Sequence, residues 1–75
     1  MTRDEAFGRV LREARVSRGL TQRVLAERAA LTDNYLSLLE QAKRSISIST
    51  LFVLCDALGM KASLLIQGAE NLADE

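Results

Sequence analysis

Residues 19–40, GLTQRVLAERAALTDNYLSLLE, constrain the fold of this chain more than any other segment. They contain two short helical patterns, and a threonine in the N-cap position, Thr21 or Thr32, opens each one. A turn of only three or four residues separates the two patterns, and their inward positions carry small or branched apolar side chains. Two helices joined this tightly cross at a steep angle. The segment therefore predicts a tandem helix pair in which the outer face of the second helix is polar and uncovered.

Capping signals predict a helix on each side of this pair. Thr2 and Glu5 have the spacing of a capping box before the first helix, which is expected to end at Gly19. Ser47 is in position to cap the fourth helix, and Gly59 is in position to end it.

A fifth, shorter helix is predicted over roughly residues 62–67, and the polar ending GAENLADE predicts a flexible acidic tail. The chain has no proline and only four glycines, which suits helices better than a turn-rich sheet. We therefore expect an all-α fold, with one five-helix domain over residues 1–68 and a tail over residues 69–75. A length of 75 residues leaves no room for a separate catalytic domain.

Composition argues against an enzyme. The chain has no histidine and a single cysteine, so the commonest general base and a cysteine-based zinc site are both missing. No glycine-rich phosphate loop is present, and the carboxylates are scattered. We expect no catalytic residues, no metal and no cofactor. The chain also lacks a signal-peptide pattern and the run of about 18 apolar residues that a membrane span needs, so a cytoplasmic protein with no membrane contact is expected.

Charge is balanced overall but unevenly distributed. Ten basic and ten acidic residues give a net charge of zero. Residues 12–44 contain seven basic and four acidic residues, whereas residues 45–75 contain one basic and four acidic residues. A basic middle segment suits an anionic partner. The alternative is that these charges only solvate ordinary helix faces.

Several spaced motifs resemble the lambda-repressor-like (Cro/XRE-type) helix-turn-helix family, over roughly residues 7–66. Each motif is weak alone, and together they are specific. The resemblance implies a five-helix domain that binds operator DNA, usually as a dimer. The motif residues are Leu11, Arg12 and Arg15; Gly19, Leu20, Thr21 and Gln22; Leu25 and Ala26; Tyr35, Leu36, Ser37, Leu39 and Glu40; Lys43 and Arg44; and Leu51, Leu54, Ala57, Leu58 and Gly59.

By position, the resemblance implies four base-reading or groove-lining residues on the third helix: Asp33, Asn34, Ser37 and Leu38. Asn34 is the best direct reader because asparagine can pair bidentately with adenine. Leu38 could contact a thymine methyl group. Asp33 could accept a hydrogen bond from cytosine, although a capping role is favoured.

The resemblance also implies phosphate contacts from six residues: Thr21, Gln22, Arg23, Tyr35, Lys43 and Arg44. Thr21 could instead be a plain cap, and Tyr35 could simply pack beside the second helix. Lys43 and Arg44 could belong to a merely solubilising loop. Arg15 and Glu40 match a family ion pair that orients the third helix.

Two features depart from the family pattern. Ala30 and Ala42 stand where the family often has glycine, so a left-handed backbone at Ala42 would cost about 1 kcal/mol. The third helix also contains no arginine or lysine, and the commonest guanine contact is therefore missing.

The segment LFVLC, residues 51–55, is apolar at five consecutive positions, although one core can cover only about half of a helix. Phe52 and Val53, with Leu65 and Ile66, are therefore candidates for an exposed interface in a symmetric dimer. In the alternative, Phe52 covers the fifth helix of a monomer. Cys55 faces the core stripe and is expected to act as a small apolar residue.

The favoured function is a sequence-specific transcriptional regulator that binds double-stranded DNA as a homodimer on a palindromic operator. It would resemble a phage repressor or a restriction–modification controller. The alternative is an antitoxin-like module of the same fold, which would bind a partner protein.

Overall fold

The computed structural model describes residues 1–75 and contains five α-helices and no strand. The all-α, five-helix prediction is therefore confirmed. Four helices begin where predicted, because each N-cap side chain accepts a hydrogen bond from the backbone N–H three residues on. These N-cap residues are Thr2, Thr21, Thr32 and Ser47. The helices are α1 (Arg3–Ser17), α2 (Gln22–Arg28), α3 (Asp33–Glu40), α4 (Ile48–Leu58) and α5 (Ala62–Ala73).

The first four helices all end in a Schellman motif. A residue with left-handed φ follows each helix, and the next N–H reaches back to a carbonyl in the last turn. The left-handed residues are Gly19 (φ 70°), Ala30 (φ 56°), Ala42 (φ 59°) and Gly59 (φ 71°). Two alanines thus occupy positions that favour glycine, and they lie at the two ends of α3.

One hydrophobic core holds the five helices together. Leucines of four helices are almost fully buried in it, and Leu65 contributes from α5. Ala26 and Ala29 are buried where α2 meets its neighbours, and their small side chains let the neighbouring helices approach α2 closely. The core residues are Leu11, Leu25, Ala26, Ala29, Leu36, Leu39, Leu51, Leu54, Cys55, Leu58 and Leu65.

The fifth helix is longer than predicted. It extends to Ala73, so the expected end near residue 67 is wrong. Ala69 is buried, and an ideal Cβ on Gly68 would lie 3.6 Å from Val10 Cγ1. These small residues let α5 lie along α1, which stabilises additional helical turns. Residues 69–75 were predicted as a flexible tail, but residues 69–73 belong to α5. Only residues 74 and 75 follow the last residue of this helix.

The fold contains no group of three or more His, Cys, Asp or Glu side chains that could hold a metal ion. Cys55 is buried, and desolvation raises the pKa of its thiol, with a further contribution from the carboxylate of Asp56. It is thus a small apolar core residue, as predicted. No single helix has the length and apolar composition of a membrane span. Only α4 and α5 taken together reach that length and composition, and the two helices are bent by 106° relative to each other.

Candidate nucleic-acid interface

The carboxylate of Glu40, the last residue of α3, joins three helices. Its Oε2 accepts a hydrogen bond from Arg15 Nε at 2.7 Å, and its Oε1 accepts one from Arg15 Nη2 at 3.0 Å. The same Oε1 accepts a hydrogen bond from Gln22 Nε2 at 3.0 Å. Arg15 also donates to the carbonyl oxygen of Leu20 at 2.8 Å. Because the side chains of Arg15 and Glu40 are only 10% and 3% exposed, this network fixes the end of α3 against α1 and α2 in a nearly dry setting.

A close backbone approach fixes the same end of α3. An ideal Cβ on Gly8 would lie 2.5 Å from the carbonyl oxygen of Glu40 and 2.8 Å from that of Leu39. Only glycine therefore lets α1 approach α3 this closely. Gly8 was not among the residues for which the sequence predicted a role. The available signal was an isolated glycine inside a regular helical pattern, which often marks a packing requirement.

Three of the predicted base-reading residues form one stripe along α3. Asn34, Ser37 and Leu38 are spaced i, i+3 and i+4, and they lie opposite the buried leucines of the helix. Asn34 is exposed, and its amide makes no hydrogen bond within the chain. Ser37 and Leu38 are half-buried, and Ser37 Oγ accepts a hydrogen bond from Gln41 Nε2 at 2.8 Å. The stripe thus offers a free amide, a hydroxyl that accepts from Gln41 and keeps its own proton available, and an aliphatic group.

Asp33 lies at the first position of α3, beside the start of α2. The side chain of Thr32 makes the cap of α3, as predicted, and the carboxylate of Asp33 makes no capping hydrogen bond. Asp33 is exposed and forms no hydrogen bond or ion pair through its carboxylate, although its charge suits the helix dipole. It lines one open groove together with Thr21, Gln22 and Arg23. The structure thus brings this base-reading candidate and three phosphate candidates together.

The three candidates at the start of α2 differ in how freely they can bind an anion. Thr21 Oγ1 accepts the capping hydrogen bond of α2, which leaves its hydroxyl proton available. Gln22 has one amide hydrogen engaged by Glu40 and one free. Arg23 pairs with Glu27 at 3.4 Å, but both side chains are more than half exposed, so the pair is weak. All three retain a donor.

Lys43 occupies an unusual position for a charged residue. It is the second residue of the Schellman motif of α3, and its N–H donates to the carbonyl of Leu38 at 2.9 Å. The corresponding residues after α1, α2 and α4 are Leu20, Leu31 and Met60, and all three pack against the core. Lys43 is instead exposed, and its ammonium forms no hydrogen bond or ion pair. This motif therefore presents a free cation beside α3 where its counterparts bury an apolar side chain.

The loop after α3 folds back onto the helix through Arg44. Arg44 Cζ lies 5.6 Å from the centroid of the Tyr35 ring, within the range of a cation–π interaction. Tyr35 is half-buried and packs against the core, and its hydroxyl has no hydrogen-bond partner within the chain. The packing interpretation of Tyr35 thus has support from its burial, and its hydroxyl remains available for a phosphate.

A second surface, formed by α4 and α5, is apolar and uncovered. Phe52 and Val53 are 54% and 42% exposed, and Ile66 is 37% exposed. The prediction for Leu65 is wrong, because this residue is 2% exposed and belongs to the core. Its neighbour Leu64 is exposed instead. Five of the seven large exposed apolar side chains of the chain lie on these two helices.

The tandem pair α2–α3, fixed in a five-helix domain with an uncovered polar stripe on its second helix, defines a helix-turn-helix domain. The profile of the helix-turn-helix domain family matches residues 6–65, and the chain belongs to this family.

Regulators of several bacteria are similar to this chain. The transcriptional regulator ClgR of Mycobacterium tuberculosis is 37% identical over 70 residues, which are 92% of this chain and 62% of ClgR. The crystal structure of the clp gene regulator ClgR from Corynebacterium glutamicum has a TM-score of 0.91 at 33% identity, over 96% of this chain and 94% of that one. The restriction–modification controller protein C.AhdI from Aeromonas hydrophila has a TM-score of 0.80 at 33% identity, over 81% and 92% of the two chains. The chain thus spans less than two thirds of the length of the curated ClgR.

Proposed function

We propose that this chain is a sequence-specific DNA-binding regulator of transcription. The observation that carries the proposal is the Asn34–Ser37–Leu38 stripe, which is uncovered on a helix whose far end is fixed by Arg15 and Glu40. A short rigid helix of this kind fits the major groove, about 12 Å wide. The similarity to ClgR and to C.AhdI supports the same function.

Each residue of the stripe has a distinct role in the proposed complex. The free amide of Asn34 pairs bidentately with adenine, and Leu38 contacts a thymine methyl group. The exposed carboxylate of Asp33 accepts a hydrogen bond from cytosine N4. Ser37 lines the groove while its hydroxyl stays bonded to Gln41.

Cations on both sides of the stripe contact the DNA backbone. Arg23 precedes it on α2, and Lys43 and Arg44 follow it, while Thr21 and Gln22 add neutral donors. Arg15 and Glu40 orient α3 and contact no base. If all three cations of both subunits neutralise phosphates, the logarithm of the binding constant falls against the logarithm of the salt concentration with a slope of about −5.

The apolar surface of α4 and α5, centred on Phe52, Val53 and Ile66, joins two copies of the chain. A symmetric dimer places two α3 helices about 34 Å apart, one turn of DNA, and so selects a palindromic operator. The dimer acts in the cytoplasm by occupancy, blocking or recruiting polymerase. Binding alone performs this function, without a cofactor or catalytic step.

Selection of bound sequences from a random duplex library at about 150 mM salt, with the mass of the complex measured alongside, tests this proposal. Enrichment of a palindrome with half-sites about 10 base pairs apart, bound by two subunits, is the expected result. Weak, salt-sensitive binding without enrichment would overturn it. That outcome would favour the antitoxin-like alternative, in which the apolar surface binds a different protein.

Two variants distinguish residues that recognise bases from residues that contact phosphates. Asn34→Ala is expected to lose about 1–3 kcal/mol on the selected site and to relax specificity at one base pair. Lys43→Ala is expected to weaken binding to all sequences equally and to flatten the salt slope by about one unit. A uniform loss for Asn34→Ala would remove Asn34 from the base readers, and an unchanged slope would remove Lys43 from the phosphate contacts.

A further inference from the structure

The cation–π pair formed by Tyr35 and Arg44 is a contact that the proposed binding roles do not explain. Arg44 lies in the loop after α3, yet its guanidinium reaches the ring of Tyr35 in the first turn of that helix, 5.6 Å from the centroid. No hydrogen bond or ion pair holds Arg44, so the ring is the partner that the structure gives to this guanidinium.

The end of α3 explains how the loop reaches back this far. The left-handed residue Ala42 reverses the chain, and Lys43 N–H then bonds to the carbonyl of Leu38. Leu38 is three residues after Tyr35, and the two are therefore neighbours on the helix surface. Arg44, the next residue after the reversal, thus lies within reach of the Tyr35 ring.

This cation–π contact has a direct consequence for a helix that contains no arginine or lysine of its own. A free arginine side chain samples many rotamers and loses that freedom when it binds. A guanidinium held over an aromatic ring in a cation–π contact has already lost part of it, and the guanidinium of arginine makes such contacts more often than the ammonium of lysine.

We infer that Tyr35 is a positioning residue whose ring holds Arg44 beside α3 for contact with the DNA backbone. The inference rests on the proposed DNA-binding function and deepens it. Tyr35 acts through its ring and through Arg44, and its hydroxyl is not required. This assigns Tyr35 a role different from the direct phosphate contact that the sequence suggests.

The contact between Tyr35 and Arg44 is measurable in the free protein, without DNA. The ring current of Tyr35 is expected to shift the Arg44 Hδ resonances upfield in the NMR spectrum of the full chain. The shift remains in Tyr35→Phe, which keeps the ring, and disappears in Tyr35→Leu. Unshifted Arg44 resonances in the wild-type protein would overturn the inference.

A double-mutant cycle on the selected duplex tests the consequence for binding. Tyr35→Leu is expected to weaken DNA binding about two- to five-fold when Arg44 is present and to have no effect in an Arg44→Ala background. Tyr35→Phe binds as the wild type does. Equal losses for Tyr35→Phe and Tyr35→Leu would overturn the inference in favour of a hydroxyl contact. Independent losses for Tyr35→Leu and Arg44→Ala would also overturn it, because the two residues would then act separately.

Two controls separate the possible failures. Tyr35 packs against the core, so binding is compared at a temperature at which circular dichroism shows every variant folded. Tyr35→Phe and Arg44→Ala leave that packing in place and keep the test decisive even if Tyr35→Leu unfolds. A wild-type chain that binds no duplex overturns the DNA-binding function and this inference together, whereas a binding chain without coupling overturns the inference alone.

Discussion

Gly8 in α1 faces the carbonyl oxygen of Glu40 at the end of α3, and an ideal Cβ on Gly8 would lie 2.5 Å from that oxygen. Because the obstructing atoms belong to backbone, Gly8→Ala must push the two helices apart. We expect it to lower the free energy of unfolding by about 1–3 kcal/mol, measured by urea denaturation, and to weaken DNA binding as α3 tilts.

Gly68 provides the matched control. It also lies inside a helix, but an added Cβ would meet Val10 Cγ1 at 3.6 Å, an ordinary van der Waals distance. Gly68→Ala is therefore expected to stabilise the protein by about 0.5–1 kcal/mol. Similar effects from the two substitutions would contradict the proposed role of the Gly8 contact.

The ion pair of Arg15 and Glu40 is expected to matter more for orientation than for net stability. Glu40→Gln leaves a buried arginine without its counter-charge and should destabilise the fold by about 3 kcal/mol in a thermal or urea melt. The double variant Arg15→Met with Glu40→Leu should recover most of that stability. It should not recover DNA binding, because Gln22 loses its acceptor. Wild-type affinity in the double variant would show that the pair does not orient α3.

Because Ala30 and Ala42 have a left-handed backbone, we expect glycine at either position to stabilise the protein. Ala30→Gly and Ala42→Gly should each raise the free energy of unfolding by about 0.5–1 kcal/mol, since relief of the left-handed strain exceeds the added chain entropy. The reverse changes, Gly19→Ala and Gly59→Ala, should lower it by about 1 kcal/mol, because no atom lies within 4 Å of either added Cβ and only the backbone conformation matters. Chemical denaturation of the four variants tests the sign at each position.

The apolar surface of α4 and α5 predicts a specific effect on oligomeric state. If the proposed dimer forms through this surface, Phe52→Glu should convert it to a monomer in analytical ultracentrifugation, because the carboxylate would have to be buried in the interface. Val16→Glu, on α1, is a matched control, since Val16 and Phe52 are 55% and 54% exposed. It should remain dimeric. A Phe52→Glu variant that remains dimeric would show that the dimer interface does not include this surface.

The capping box of α1 predicts a pH dependence. Thr2 N–H donates to Glu5 Oε1 at 2.8 Å, and this backbone hydrogen bond is the main reason that the pKa of Glu5 lies below its ordinary value. The folded state thus favours the carboxylate. Its stabilising effect is present above the ordinary titration range of glutamate and disappears as the pH falls through the lowered pKa. The stability difference between the wild type and Glu5→Gln should therefore vanish in acid. An NMR titration of the Glu5 carboxyl carbon that gives an ordinary or raised pKa would contradict this.

The helix starts could be predicted from the sequence because capping is local. Thr21 and Thr32 accept hydrogen bonds from backbone N–H groups three residues away, and these bonds do not depend on any distant part of the chain. The same locality explains why the ends at Gly19 and Gly59 were predictable.

What the sequence could not provide depends on distant parts of the chain. Leu64, Leu65 and Ile66 are consecutive apolar residues, and only the packing of α5 on the core decides that Leu65 is the buried one. The length of α5 likewise depends on its contact with α1, and the importance of Gly8 depends on how closely α3 approaches. The cation–π contact of Arg44 with Tyr35 has the same origin, because a chain reversal brings together residues that are nine positions apart.

Ala30 and Ala42 border α3 at both ends, and each holds the backbone above its energy minimum. The helix that carries the proposed reading stripe is therefore set in the most strained part of the fold. The Arg15–Glu40–Gln22 network holds α3 itself, so local opening is expected in the flanking turns at Ala30 and Ala42, with faster amide exchange there than in the middle of α1. A ligand that grips α3 suppresses this opening and, by linkage, raises the melting temperature of the whole chain. Occupancy of an operator would then also protect the regulator from unfolding and proteolysis.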